Sequence, residues 1–207
     1  MTIFRSAFLL NCLSLLLVGF LVVLTQISGL QVSDLFFHPF FSPNPNVALL
    51  TRTFQVLCAV PVIVCSFSYG LAKTMQLRPT ETRFILFSAL LTGAFLLNEI
   101  YRIHLYISAL GIPKLGVSLL YAIFVFSYGW FFRRELHSTP YKILLAGLGL
   151  LFFAIGMDAL KLEGKILASL LEGVPKLLSE INIVFYYWCI CKSFLEKAFY
   201  EKMNALL

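Results

Sequence analysis

AFLLNCLSLLLVGFLVVL, residues 7–24, decides which solvent this chain folds in. The run follows Arg5 and is too long for an ordinary signal-peptide core, and Ser28-Gly29 beyond it do not make a convincing A-x-A cleavage site. It reads as a first membrane crossing. The whole chain agrees: 60% of its 207 residues are hydrophobic and only 13% charged, and its mean hydropathy is +0.90. A soluble domain is about half apolar and a quarter charged. A bilayer core about 30 Å thick takes roughly 20 helical residues at about 1.5 Å each. The chain therefore has room for several crossings and little else.

The net charge of +6 sits in short clusters between apolar runs, which is how membrane topology is encoded. No basic stripe with interleaved aromatics accompanies it, so nucleic acid is not an expected partner. The expected surroundings are the lipid bilayer and a membrane-protein partner.

Punctuation divides the apolar runs into about six crossings, near residues 7–28, 45–73, 82–108, 113–133, 140–158 and 173–197. Asn44-Pro45 and Thr139-Pro140 give the N-cap followed by proline that opens a helix. Thr80 and Thr82 are candidate caps for the third crossing, Gly111-Ile112-Pro113 ends it, and Pro175 is expected to kink the sixth. No repeat or linker separates domains. The fold expected is all-α, a single polytopic bundle over residues 1–207. If both termini are cytoplasmic, the inner segments carry ten cations: Arg5, Lys73, Arg78, Arg83, Arg133, Arg134, Lys142, Lys192, Lys197 and Lys202. The outer segments then carry six: Arg52, Arg102, Lys114, Lys161, Lys165 and Lys176. The positive-inside rule favours that orientation.

Depth can be counted from the basic residue at each cytoplasmic helix end. Glu99 lies about 24 Å up and Arg102 about 28 Å. Asp158 lies about 24 Å up, Glu180 about 26 Å and Lys176 about 31 Å. Six crossings thus gather these residues into one layer near the outer face. Along FLLNEIYRIHLYI, residues 95–107, a continuous helix puts Arg102, Tyr106 and Glu99 within about 100° of Asn98, whereas His104 falls about 240° away. Glu172, Lys176 and Glu180 form an i, i+4, i+8 ladder, with Glu172 before Lys176 in the favourable ion-pair order. Ionisable groups in a membrane usually face a bundle interior or a water-filled path. At the interface they snorkel at little cost. The candidate polar cluster is Asn98, Glu99, Arg102, His104, Asp158, Glu172, Lys176 and Glu180.

Other chemistry finds little support. His38, His104 and Asp158 could converge outside as a hydrolase-like zinc set, but no H-E-x-x-H or H-x-x-x-H spacing accompanies them, and no metal is assigned. Haem would have only His38 and His104 on one side. The cysteines Cys12, Cys58, Cys65, Cys189 and Cys191 lie in apolar segments and read as small hydrophobes. Membrane serines such as Ser66 and Ser68 usually bond to their own helix. Gly147, Gly149 and Gly156 read as close-packing positions. No cofactor is implied.

NEIYRIH at 98–104, GIPK at 111–114, FFRREL at 131–136 and the Glu172/Lys176 pair in LLEGVPKLLSE carry a likeness. The last 120 or so residues resemble a group of uncharacterised bacterial polytopic membrane proteins with a D-D-x-F-x-x-H-E-like stretch, a downstream G-I-P and a late E-x-x-x-K. Asn98 and Glu99 stand for the acidic pair, and Leu105 stands where an acid would follow His104. The resemblance implies a bacterial inner membrane and no activity; composition alone leaves a thylakoid or organellar membrane open. Three functions follow in order. The first is an accessory or assembly subunit, for which no enzymatic activity is expected. The second is binding or movement of an ion, proton or small molecule through the polar layer, and the third a metal-dependent lipid hydrolase.

Overall fold

The computed structural model describes residues 2–36, 48–75, 77–111, 114–159 and 165–204. All regular structure among them is helical. The elements are α1 (Thr2–Ile27), a 3-10 helix (Val32–Phe36), α2 (Leu49–Thr74), α3 (Pro79–Tyr101), α4 (Ile103–Ala109), α5 (Lys114–Phe131), α6 (Arg133–His137), α7 (Tyr141–Ala159) and α8 (Lys165–Asn204). Among the described residues, four helices are long and apolar enough to cross a membrane: α1, α2, α3 and α7. A shorter apolar stretch, Gly116–Phe131, lies in α5. The sixth expected crossing falls inside α8, a 40-residue helix that continues through Pro175.

The helix ends follow local chemistry. Past Ile27 the chain leaves α1 through Gly29 at φ +71, with Leu30 N–H donating to Thr25 C=O over 3.1 Å. That six-to-one bond with a left-handed glycine is a Schellman stop. The opening of α3 differs from the sequence expectation. Its cap is Arg78, with Pro79 at the first helical position. Thr82 instead turns its hydroxyl back onto Arg78 C=O at 3.1 Å. Proline supplies the φ angle a helix start needs and lacks only an N–H that would be spare there. Thr139-Pro140 does precede a helix, α7, whereas Asn44-Pro45 lies outside the described residues.

Two compact units divide the chain. The first holds residues 1–57 and 142–183. In it α7 meets α8 at Gly147, where a Cβ would stand 3.0 Å from Ser179 C=O and 3.1 Å from Ile183 Cγ1. A Cβ there would press the two helices apart by a few tenths of an ångström, so a glycine suits that approach. Gly149 and Gly156, expected to do the same, have no neighbour within 4 Å of where a Cβ would sit. Helical spacing does not say which glycine faces the partner. Gly173 on α8 similarly makes room for the Phe36 ring of the 3-10 helix, which a Cβ there would strike.

The second unit holds residues 58–141 and 184–207. Its core is aromatic. Phe84, 1% exposed, packs against Tyr128 at 5.7 Å, Phe132 at 5.5 Å and Phe194 at 6.2 Å between ring centroids. These separations suit offset or edge-on ring pairs. Many other large apolar side chains of this unit, such as Phe67, Phe124, Phe126 and Trp130, are exposed. Glu81 and Lys197 join α3 to α8 by a 3.4 Å salt bridge.

Candidate functional site

The polar stretch at 98–104 is not one continuous helix. α3 stops at Tyr101, and Arg102 takes the left-handed conformation (φ 51, ψ 43) before α4 begins at Ile103. A non-glycine residue there costs about 1–2 kcal/mol. The compensation is visible in one side chain. Asn98, 6% exposed, accepts the His104 backbone N–H on its Oδ1 at 3.0 Å, and the His104 ring Nδ1 lies 3.3 Å from the same oxygen. The Asn98 amide replaces a helical carbonyl that the break has displaced.

This corrects the expectation that Asn98 and His104 look opposite ways. The 100° step holds only along an unbroken helix, and the turn at Arg102 resets it. Glu99, one residue beyond Asn98, is half-buried and close enough to Tyr121 of α5 for its charge to act there. Asn98, Glu99, Arg102 and His104 all belong to the second unit.

The other four expected residues belong to the first unit. Asp158 sits half-buried at the end of α7, and Glu172 half-buried on α8. The Lys176 ammonium lies 4.7 Å above the centre of the Phe54 ring of α2. Held over an aromatic face, a cation finds a quadrupolar partner that lipid cannot supply. Glu180 is 2% exposed. His38, one of the three weak metal candidates, lies outside the described residues. Among those described, no group of three or more His, Cys, Asp or Glu side chains is placed to hold a metal ion.

Sequence reasoning missed the best-formed polar contact. Asn11 of α1 and Asn182 of α8 exchange a reciprocal pair of amide bonds at 3.0 and 2.9 Å. Each Nδ2 places its remaining hydrogen on its own helix, Asn11 on Ala7 C=O at 2.8 Å and Asn182 on Leu178 C=O at 2.7 Å. All four amide hydrogens are thereby used. An asparagine within an apolar run was the available signal, but nothing in the order of residues says that positions 171 apart meet.

Hydroxyls form a second set in the second unit. Ser88, fully buried, donates to Phe84 C=O at 2.7 Å and meets the Tyr128 hydroxyl at 2.7 Å. Tyr186 meets Thr139 at 3.0 Å. Ser88 thus bonds both to its own helix and across to α5, more than the expectation for membrane serines allowed.

A small pocket of about 210 Å³ opens in the first unit, lined by Leu21, Leu24, Thr25, Asp34, Leu35 and Leu49 among others. Thr25 already bonds Leu21 C=O at 2.7 Å, and Asp34 Oδ2 accepts Gln31 N–H at 3.3 Å. These two polar groups therefore close on the local backbone.

Residues 7–191 match the family model described as a domain of unknown function (DUF8692). No curated protein and no solved structure matches the chain.

Proposed function

The chain belongs to the DUF8692 family, a family of unknown function, and we propose that within it the protein is an integral membrane accessory or assembly subunit. It crosses the bilayer six times, through α1, α2, α3, α5, α7 and α8, with both termini in the cytoplasm. The bacterial inner membrane is its place. The observation that carries this reading is that interior polar side chains close on one another across helices. Asn11 with Asn182, Asn98 with His104 and Ser88 with Tyr128 all do so. A protein that conducts or transforms a solute keeps polar groups turned to a path. Here they are used to fix one helix against another, as expected of a part that must present a defined surface to a partner.

The test is native mass spectrometry of the protein gently extracted from its own membrane. A stoichiometric protein partner, with no metal or small molecule, is the expected result. A bound metal or ligand without a protein partner would replace the accessory reading. Tags at the two termini should both face the cytoplasm; an outward-facing tag would overturn the six-crossing arrangement.

One observation favours the second reading, ion or proton handling. Glu180 is 2% exposed on a helix proposed to cross the membrane, and an acid so placed is a common mark of a proton or cation site. Uptake of a cation or proton into vesicles that Glu180→Gln abolishes would move the protein to that class.

A further inference from the structure

Cys65 of α2 and Cys191 of α8 are 126 residues apart in sequence, yet their sulfurs lie 4.0 Å apart, with the Cys191 thiol directed at Cys65. Both are enclosed, at 0% and 2% exposure. We propose that they form a thiol–disulfide modification site, closed by a lipid-soluble two-electron oxidant of the quinone class.

Contact alone would be ordinary packing, since a buried thiol behaves as a small hydrophobe. The surroundings are not those of a simple apolar contact. Ser68, 3% exposed, follows Cys65 by three residues and so shares its face of α2. Tyr187, 2% exposed, precedes Cys191 by four residues and so shares its face of α8. Thiol oxidation proceeds through thiolate character, and two buried hydroxyl-bearing residues share the helix faces that carry the sulfurs. Cys189, two residues from Cys191, points elsewhere around the helix at about 100° per residue. The pairing is therefore specific to one face of α8.

Depth selects the oxidant. With α2 and α8 crossing as proposed above, Cys65, eight residues from Lys73, and Cys191, six from Lys197, lie about 9–12 Å inside the cytoplasmic edge. Glutathione, a charged peptide, has no route to that depth, whereas a quinone is dissolved there and needs only a local parting of α2 and α8 to reach the enclosed sulfurs. The step balances with no further reactant. Two thiols and one quinone give one disulfide and one hydroquinone, so both thiol protons and two electrons end on the quinone oxygens. The sulfurs must close from 4.0 Å to about 2.05 Å. Once formed, the bond ties α2 to α8 and lies out of reach of the soluble thiols that would reduce it.

The experiment uses the full chain in lipid vesicles and duroquinone, whose fully substituted ring cannot alkylate a thiol. After treatment, remaining thiols are capped with N-ethylmaleimide and the protein is mapped by mass spectrometry under non-reducing conditions. The expected product is a Cys65–Cys191 linked peptide, two hydrogens lighter than its reduced components, appearing together with hydroquinone. A variant carrying Cys12→Ser, Cys58→Ser and Cys189→Ser should give the same product, and Cys65→Ser should give none. Wild-type mapping decides the matter even if a variant fails to fold. Unlinked Cys65 and Cys191 after treatment, or linkage distributed over other cysteines, overturns the proposal. So does linkage formed by a charged soluble oxidant and not by the quinone.

Discussion

Replacing Asn11 with leucine gives the sharpest test of how the first unit is held together. Only 11% of the apolar window of α1 is buried by the rest of the chain, so apolar packing does little to fix that helix. The substitution removes both bonds between Asn11 and Asn182. Polar contacts between helices in a bilayer average about 0.6 kcal/mol and reach about 1.7. Two such bonds give a floor near 1.2 kcal/mol by that figure. Asn182, 5% exposed, is then left with one amide hydrogen and one oxygen unmet, and a buried group so stranded costs about 1–3 kcal/mol. A loss of about 1–3 kcal/mol is expected for Asn11→Leu, and a similar one for Asn182→Leu. The double variant strands nothing, because both amides are gone. It should recover at least about 1 kcal/mol relative to the sum of the single losses, well outside the 0.3–0.5 kcal/mol within which independent sites add. Reversible unfolding in mixed detergent, read by tryptophan fluorescence, measures all four corners of the cycle. Single losses that simply add would refute the reciprocal pair.

Gly147→Ala should cost about 1–3 kcal/mol, because its Cβ would press on Ser179 C=O at 3.0 Å. Gly149→Ala, with open space around it, should be neutral or gain up to about 1 kcal/mol from helix propensity; thermal midpoints in one detergent compare the two. Arg102→Gly should be more stable than Arg102→Ala by about 1 kcal/mol, since φ there is 51°. The reverse order, which a helix interior would give, means the helix is unbroken. Asn98→Ala should lose about 0.5–2 kcal/mol, the range for removing a side-chain cap, and hydrogen exchange at the His104 amide should accelerate. Unchanged exchange there would remove Asn98 from that role.

What the sequence disclosed was set by local physics, and what it concealed depended on contacts between distant positions. Apolar length alone located α1, α2, α3 and α7, because each needs only its own residues to satisfy its backbone. The ends were less well read: Thr80 and Thr82 were expected to cap α3, whereas Arg78 caps it with Pro79 at the first helical position. The glycines show the limit. Gly147 and Gly149 look alike in sequence, and only the approach of Ser179 separates them. Cys65 and Cys191 looked bland for the same reason, as each was judged against its own apolar run. In the candidate cluster, depth counting gave levels along each helix but nothing about contacts. Lys176 over Phe54 is a pair of residues from different helices that no periodicity of α8 could show.

The break at Arg102 links these levels. An apolar helix has strong reason to stay continuous, because each freed backbone group lacks water to bond with. A left-handed residue in it is tolerated only where another group takes over the displaced bond. Asn98 does so for the His104 N–H, and its side chain is short enough to fold back while remaining 6% exposed. The polar residues of this stretch then divide by task. Asn98 is spent on the backbone, and its bond draws the His104 ring to within 3.3 Å. Glu99 remains the carboxylate of α3 nearest the break. A chemical role for the stretch would therefore rest on Glu99 more than on Asn98 or His104, and Glu99→Gln is the substitution that separates function from fold here. It leaves the Asn98 bond in place, so a change in partner or ion binding with an unchanged thermal midpoint would assign the effect to the carboxylate. A fall in stability equal to that of Asn98→Ala would instead make Glu99 part of the same structural device.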